Sequence, residues 1–430
     1  MAPKKGFMKA SMGGMETQAG TAVARTARLA MTDFGYLVEK PTKSSKDVIT
    51  GRNSQAGYDL DAIDYSAEMP TNLTVCPALA MMLHSLMGSM SAPVAVGCGI
   101  LLIYTGGEDS CVVEADEDGK SLSARIGNRG EELPDPAFGT LGVLDLTTLT
   151  LGNLIDTVNG FGGYTATLLY GDPAAASEVP VPVAYAQAKG RPVPLHFTSP
   201  ASTVKLRIFK PNYTNTENAT FSIQVDGDGD NRLGSGAVVD SATISADLKA
   251  KAKASWSLLL LKVLGGQEPT SLGLTADDLD VMKFNEGETL IAGQKHCYVK
   301  NVSVTVANNH SDDEGYCQGS LMKATHVRGT FSVTGSMTLS VGEDGADPSS
   351  EKERKKNLSN DMTSVQLRFV GRRIADGIRS MMVLDMPYVQ YTDDSKSAGD
   401  NSLEQSLSFE AVDPSGAEDH LQVHMVGGWA

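Results

Sequence analysis

Histidine pairs and acidic runs are the residues of this chain whose spacing could support metal or acid–base chemistry. His420 and His424 stand four residues apart, which on a helix would direct both imidazoles towards one metal ion. The neighbouring Leu421, Val423 and Met425 alternate with polar residues, however, so the segment is a predicted strand. On a strand the two histidines would lie about 13 Å apart. The sequence therefore predicts no metal site there.

An acidic run at residues 226–230 begins like a calcium-binding loop. Such a loop requires glycine at its sixth position and glutamate at its twelfth, where this chain has Asn231 and Ala237. We therefore interpret the run as a hairpin turn. The sequence has no phosphate-binding loop, dinucleotide fingerprint or nucleophile elbow, and nothing singles out two carboxylates as a glycosidase pair. We predict neither an enzyme activity nor a cofactor.

The charge of the chain restricts its partners. Its 430 residues include 36 Lys and Arg against 52 Asp and Glu, a formal net charge of −16. Because binding to nucleic acid relies on Lys and Arg contacts with phosphates, this charge argues against a protein that grips nucleic acid. No apolar run approaches the ~18 residues of a transmembrane helix. The five cysteines are scattered without the spacing of a zinc site, which indicates reduced thiols.

Alternation with period 2 dominates the sequence and predicts antiparallel strands with one buried face. It is clearest where Val302, Val304 and Val306 are separated by polar residues. Two helices are predicted, at 77–87, where a proline occupies the first turn and a glycine follows the last, and at 151–158. We therefore predict a mainly β protein with antiparallel sandwich or barrel-like sheets and one flanking helix.

Four stretches differ from this pattern. Residues 1–32 are small and Met-rich and are predicted to form a flexible N-terminal arm, whereas residues 40–70 and 342–362 are predicted to be long polar loops. Residues 96–285 are rich in proline in their central part and include the second helix. This composition favours a separate α+β or β-rich module.

Two sets of charged residues could form surfaces. The 342–362 loop holds a run that we interpret either as solvated or as a charged arm contacting an acidic neighbouring subunit: Glu351, Lys352, Glu353, Arg354, Lys355 and Lys356. Adjacent carboxylates recur along the chain, either as exposed turns or as parts of an acidic surface. They include Asp277 with Asp278, Asp312 with Asp313, and Asp393 with Asp394.

The order of these elements, together with two segments, resembles phage tail tube proteins. The segments are Tyr298–Asn309, which is followed by an acidic turn, and Val327–Leu339. The final hairpin at 403–425 also resembles the end of that family. The resemblance covers a little over half of the chain and involves no catalytic residue.

The resemblance implies a domain organisation. The tail tube domain would comprise 33–95 and 286–430, interrupted by an inserted domain at 96–285. A weak echo between 222–261 and 303–341 leaves a second possibility, the fusion of two tube domains. An insertion implies six chains per ring, whereas a duplication allows three.

The family implies a structural virion protein of a long, non-contractile tail. It would self-assemble into stacked homo-hexameric rings and form the conduit for genome DNA, which passes without specific binding. Further partners would be the tape measure and tail terminator proteins, with no membrane and no cofactor. We expect synthesis in the host cytoplasm. The alternatives are another β-rich virion or surface protein and, less favoured, a β-rich hydrolase with an acid pair.

The resemblance also suggests roles for the arm, the loops and the charged residues. The stretches 1–32, 40–70 and 342–362 would become ordered on assembly and brace one ring against the next. Some of the paired carboxylates would face the lumen, where they would repel phosphate. We expect deletion of residues 1–30 to weaken assembly and to leave the subunit folded.

Overall fold

The computed structural model describes most of the chain. It covers residues 9–33, 36–45, 58–118, 120–139, 141–177, 179–213, 219–227, 230–274, 279–340, 350–359, 361–398, 403–414 and 420–428. These residues form 26 strands and three α-helices. The strand ladders are antiparallel, which confirms the predicted mainly β fold. Among these residues, no helix combines the length and apolar character needed to cross a membrane.

The elements fall into three consecutive stretches. The first stretch contains β1 (Lys9–Met15), β2 (Arg25–Leu29), β3 (Leu37–Ser45), β4 (Tyr58–Asn72) and α1 (Pro77–Met87). The second contains β5 (Gly88–Met90), β6 (Val94–Tyr104), β7 (Ser110–Asp116), β8 (Ser121–Gly127), β9 (Leu133–Pro134), β10 (Val143–Asp145), α2 (Leu151–Asn159), β11 (Tyr164–Tyr170), β12 (Val183–Gln187), β13 (Val193–Thr198) and β14 (Lys205–Pro211).

The third stretch runs to the end of the chain. It contains β15 (Phe221–Asp226), β16 (Asn231–Asp247), β17 (Lys253–Leu260), β18 (Lys262–Leu264), β19 (Glu288–Ile291), β20 (Gln294–Lys295), β21 (Val299–Ala307), β22 (Ser332–Ser340), α3 (Ser350–Ser359), β23 (Thr363–Ala375), β24 (Ile378–Ala398), β25 (Leu403–Ala411) and β26 (Gln422–Gly427).

Helices α1 and α2 lie where the sequence predicts them. Pro77 occupies the first turn of α1, and Gly88 ends the helix in the left-handed conformation with φ of 80°. In α2 the hydroxyl of Thr150 accepts a hydrogen bond from the Asn153 amide at 3.2 Å. The buried apolar face of α1 makes it part of the main core.

One set of strand pairings occurs twice along the chain. In the first set, β1 pairs with β2 and β15, β3 with β4, β4 with β17, and β16 with β15, β17 and β18. In the second, β19 pairs with β20 and β23, β21 with β22, β22 with β25, and β24 with β23, β25 and β26. We call β1–β4, α1 and β15–β18 unit 1, and β19–β26 with α3 unit 2.

The repeat extends to the helices and to the irregularities of the strands. Each unit has its helix directly after its second hairpin strand, α1 after β4 and α3 after β22. The β16–β17 ladder is interrupted between Val239 and Ser241, and the β24–β25 ladder is interrupted between Tyr391 and Asp393. These two bulges occupy corresponding positions in the two units. The two units therefore share one topology in one chain order.

The units differ in what separates the helix from the next strand. In unit 2 only residues 360–362 lie between α3 and β23, whereas in unit 1 residues 88–220 lie between α1 and β15. We call residues 88–213 the insert. Much of it has its own hydrophobic core, formed entirely by residues between Cys98 and Phe197. The main core is formed by both units together.

The insert is anchored to unit 2. Its strand β14 pairs with β26, and a buried salt bridge joins Arg191 of the insert to Asp385 of β24 at 2.6 Å. Nearby, His196 Nε2 lies 3.0 Å from Nδ1 of His424, and both rings are buried. Burial lowers the pKa of His424 to about 3, so the pair is neutral near pH 7.

The structure corrects three sequence predictions about irregular segments. Residues 9–29 contain two strands, and Ala10 and Met12 of β1 are fully buried against β15, so this part of the arm is built into the subunit. The predicted 40–70 loop is the β3–β4 hairpin, and the predicted 342–362 loop contains α3. In the hairpin, alternation is weak because the described residues of its outer part are exposed on both faces.

Candidate assembly surface

The junction between the two units is a continuous β-sheet. Alternation places Ala242, Ile244 and Ala246 of β16 in the core and leaves the intervening hydroxyl side chains on the opposite face. Residues 241–247 of β16 pair with residues 301–307 of β21. The result is one sheet in the order β3-β4-β17-β16-β21-β22-β25-β24.

A pair of side chains closes one end of this junction. Asp240 lies at the bulge of β16, and its carboxylate accepts a hydrogen bond from the His310 amide at 2.9 Å and lies 3.0 Å from His310 Nδ1. Burial opposes ionisation of Asp240, but the hydrogen bonds from His310 outweigh it and the pKa of the carboxyl is lowered. The connection from β21 to β22 is thereby held on unit 1.

The same connection crosses unit 1 as far as β4. The Ile63 amide donates to the Leu321 carbonyl at 2.7 Å, and the Tyr316 hydroxyl donates to Asp64. Lys323 Nζ lies 3.8 Å from the same carboxylate. We call residues 308–331 the clasp, because they join unit 2 to unit 1 beyond the sheet itself.

Each end of the eight-stranded sheet exposes an edge. Residues 390–398 of β24 pair with β25 on one side, and β3 pairs with β4 on one side. Within the part of the chain that the structure describes, no strand pairs with the other side of either segment. The corresponding part of β16 is paired on both sides, with β17 and with β21. By the pairing order, the open edge of β24 corresponds to the edge of β16 at the junction, and the open edge of β3 corresponds to that of β21.

The sheet face that points away from the core is rich in hydroxyl groups. Thr243 and Thr305 lie opposite each other there with their hydroxyl oxygens 2.9 Å apart. The Ser and Thr side chains of this face include Ser66, Ser241, Thr243, Ser245, Ser255, Ser257, Ser303, Thr305, Ser332, Thr334, Ser336, Thr338, Ser340, Ser395, Ser397, Ser406 and Ser408. Its charged residues include Lys40, Asp64, Glu68, Asp247, Lys253, Asp393, Glu404 and Glu410.

The structure separates the paired carboxylates that the sequence singled out. Asp393 lies on the hydroxyl-rich face, whereas Asp394 accepts a hydrogen bond from Gln405 at 2.8 Å. Asp312 and Asp313 are exposed in the clasp and line a pocket together with Lys40, Asp64 and Ser66 of the β3–β4 hairpin. The remaining pair, Asp277 and Asp278, lies outside the described residues.

The charged run of residues 351–356 lies on α3. Glu353 is buried and accepts hydrogen bonds from the Tyr391 hydroxyl at 2.6 Å and from Lys356 Nζ at 3.0 Å. Lys356 also donates to the Thr363 hydroxyl at 3.1 Å. Two members of the run therefore fix the helix to its own unit. Lys355 is exposed and Arg354 is half-buried.

The residues considered for metal binding have other partners. His424 contacts His196, and the Tyr213 hydroxyl lies 2.5 Å from His420 Nδ1. Asp226 accepts hydrogen bonds from the Thr270 amide and hydroxyl at 2.9 and 2.8 Å. Across the described ranges, no three His, Cys, Asp or Glu side chains are grouped so as to hold a metal ion.

Sequence reasoning missed the clasp residues and the correct repeat. Asp64 is one of several polar residues in β4, whereas Asp240, at a bulge, and His310 and Tyr316, in the clasp, are single polar residues that no periodicity marks. The echo at 222–261 and 303–341 aligned strands that do not correspond, because β15 matches β23 in the pairing order. The repeat lies in the order of strand pairings, about which alternation carries no information.

Comparison with known proteins identifies the family. A family model described as phage tail tube protein matches residues 9–411, which includes unit 1, the insert and unit 2 as far as β25. No curated protein sequence matches the chain. The open sheet edges of β3 and β24 are consistent with a structural protein of this family. The chain belongs to the phage tail tube protein family.

Proposed function

We propose that three copies of this chain close into a ring of six tube units, and that such rings stack into the tail tube. The observation that carries this proposal is the β16–β21 junction between two units of equal topology. A chain with one such junction and two open edges joins head to tail with further copies, and such an interface closes when the rotation is right. Of the two ring sizes expected from the sequence, the presence of two units in one chain favours three chains rather than six.

The registers of the two units define the contact between chains. In unit 1, Asp64 of β4 pairs with Lys40 of β3; in unit 2, Ser332 of β22 pairs with Ala307 of β21. Ser66 of β4 pairs with β17, and Thr334 of β22 pairs with β25, at the same distance from the bulge of each unit. Asp64 and Ser332 each lie two residues earlier in the chain, so they are equivalent. Lys40 of β3 is therefore equivalent to Ala307 of β21.

This equivalence gives the residues that face each other between chains. Inside the chain, Ser241 lies opposite Ala307 directly after the bulge. The equivalent rung would pair Asp393 of one chain with Lys40 of the next, two opposite charges. Opposite charges across strands stabilise a pairing by roughly 0.2–1 kcal/mol. On the other face Glu39 would lie opposite Asp394 and diagonal to Lys396.

The hydroxyl-rich face supports a role as the lumen wall. If the sheets of three chains join, this face forms one continuous surface around the ring. On this face six carboxylates outnumber two lysines, Lys40 and Lys253, so phosphate finds few cations to bind and DNA passes without counterion release. The acidic wall expected from the sequence becomes a mostly neutral wall with scattered carboxylates, among them Asp393.

The remaining expectations fit this assembly. As a structural component of the virion, made in the host cytoplasm, the tube would contact tape measure and tail terminator proteins at its ends, and it would need no catalytic step. Exposed residues of α3, such as Lys355, are available to brace adjacent rings. The insert, narrower than the predicted 96–285, would be a separate domain added to unit 1.

Disulfide cross-linking tests the arrangement. Val38 and Ser395 face each other in the proposed contact between chains, so Val38→Cys with Ser395→Cys should form a disulfide between neighbours. Both substitutions are introduced with Cys297→Ser and Cys317→Ser, which removes the exposed native thiols. We expect a non-reducing ladder that ends at three times the chain mass of 45.4 kDa.

The controls separate the possible outcomes. Either single cysteine variant should remain at the mass of one chain, because it has no partner thiol in the contact. A ladder that ends at six chains would contradict three chains per ring. Wild-type protein that shows neither rings nor tubes in negative-stain images would overturn the proposed function itself.

A further inference from the structure

Unit 2 has an open groove beside Phe331 that no described segment fills. It has a volume of about 590 Å³ and is lined by residues of the insert, the clasp and the chain before β26. We propose that the end of the β3–β4 hairpin of the neighbouring chain docks in this groove. The proposal rests on the ring proposed above and adds a second contact between chains to the sheet edge.

The junction inside the chain provides the precedent. There the clasp, which connects β21 to β22, crosses unit 1 and contacts Ile63. This residue lies two positions before β4 begins to pair with β17. Ile63 forms a β-bridge with Met322, and its amide donates a hydrogen bond to the Leu321 carbonyl oxygen. The Tyr65 hydroxyl lies 3.5 Å from the Met322 sulfur. An apolar clasp segment thus covers Ile63.

The strand registers make Phe331 the counterpart of Ile63. Ser66 pairs with Leu259 in unit 1, and Thr334 pairs with Glu410 in unit 2, at equal distances from the two bulges. Three residues before each lie Ile63 and Phe331. In the ring, the described part of the next chain that corresponds to the clasp is the outer part of its β3–β4 hairpin, which includes Tyr58 and Leu60 of β4.

The groove suits an apolar occupant. The ring of Phe331 packs against Tyr213 and His420 with centroids 6.0 and 6.3 Å away, and the Arg328 guanidinium lies 5.5 Å from its centre. Arg328 is held in place by Asn308 Oδ1 at 2.8 Å and by a backbone carbonyl. Tyr213 is 51% exposed, which leaves an aromatic surface open at the groove.

The proposed occupant exposes matching side chains. Tyr58 and Leu60 point to the same side of β4 in the outer part of the hairpin, and they are 61% and 40% exposed. In the internal junction, Leu321 and Met322 of the clasp play the corresponding part. Exposed apolar side chains of this size on a hairpin end are typical of a contact surface.

A double-mutant cycle tests the contact. Tyr213→Ala removes a wall of the groove and Tyr58→Ala removes part of the occupant, while both side chains are exposed in the single chain, so the subunit should stay folded. We expect each change to raise the concentration needed for ring formation about tenfold, as truncation of an interface aromatic does. The double variant should be little worse than either single variant, because both remove one contact.

The control is Leu133→Ala, which truncates an exposed apolar side chain of the insert and should leave ring formation unchanged. Ring formation is measured by sedimentation velocity, and folding by circular dichroism. Wild-type rings with unchanged assembly of both tyrosine variants would overturn the docking proposal, as would single effects that multiply in the double variant. Absence of wild-type rings would instead refute the proposed function.

Discussion

His326 joins the clasp to unit 1 through a single buried imidazole. Its Nε2 lies 3.0 Å from the carbonyl oxygen of Gly236, and the residue is 5% exposed. Burial lowers the pKa of His326 to about 4, while the carbonyl contact and Asp240 oppose this shift. The imidazole is therefore neutral near pH 7 and donates a hydrogen bond from Nε2 to the carbonyl oxygen.

We expect His326→Gln to reduce the acid sensitivity of the protein. Below pH 6.5 the unfolded chain binds a proton at this histidine, whereas the folded chain does not until about pH 4. Stability is consequently lost as pH falls from 6.5 to 4, on the order of 3 kcal/mol from this group. Gln can keep the hydrogen bond but cannot titrate, so urea unfolding between pH 7 and 4 should show a shallower decline.

The matched control for that measurement is His420→Gln, at a half-buried imidazole whose ring contacts Tyr213. It should follow the wild-type pH dependence. An equal slope for His326→Gln and wild type would show that the clasp histidine is protonated in the folded state, contrary to its buried setting.

At the scale of elements, the sequence predicts strands better than it predicts their partners. Alternation at Val302, Val304 and Val306 identifies β21, and the Pro and Gly signals identify the bounds of α1 as Pro77–Met87. Which strand pairs with which depends on contacts between residues far apart in sequence, and alternation carries no information about them. The junction of β16 with β21 could therefore not be predicted.

The sequence does not predict two elements of the structure, helix α3 and strand β1. Helix α3 is not predicted, because its residues are nearly all polar and no apolar stripe marks it; Glu353 contacts Tyr391 of the sheet, and Lys356 contacts Thr363. Strand β1 was missed because Gly13 and Gly14 interrupt its alternation, although Met12 is fully buried. Tertiary contacts rather than local pattern order both elements.

We expect the loss of β1 to unfold the subunit instead of only weakening assembly. Strand β1 pairs with β15 and β2 and buries Ala10 and Met12 in the main core. Met12→Ala alone should lower the free energy of unfolding by about 2–5 kcal/mol, measured by urea denaturation. Met362→Ala, at a 44% exposed side chain, should change it by less than about 0.5 kcal/mol.

A Met12→Ala variant as stable as wild type would show that β1 is not part of the folded core. In that case the original expectation, that residues 1–30 act only in assembly, would be restored. The two methionines differ in burial and not in chemistry, so the comparison isolates the contribution of packing.

At the scale of the whole molecule, the two units and the insert are different kinds of structure. The units share a core and a sheet, and they contain both open edges. The insert has its own core and reaches unit 2 through β14 and the Arg191–Asp385 salt bridge. If the units alone close the ring, the insert should be dispensable for assembly.

We expect a chain without most of the insert to fold and to form rings of the same symmetry. The design replaces residues 95–205 by Asn-Gly, because Val94 lies opposite Leu206 and a two-residue turn can join them. It also carries Asp385→Asn, since the removed Arg191 would otherwise leave a buried carboxylate without its cation. Negative-stain class averages of the shortened and full-length rings provide the measurement.

The substitution at Asp385 supplies an internal control, because its effect should depend on the insert. In the full-length chain, Asp385→Asn leaves Arg191 buried without its charged partner and should cost about 3–5 kcal/mol of stability. In the shortened chain no arginine is present, so the same change should stabilise the fold relative to Asp385. A shortened chain that folds but stays monomeric would show that the insert takes part in ring closure, and one that cannot fold would show that both units depend on it.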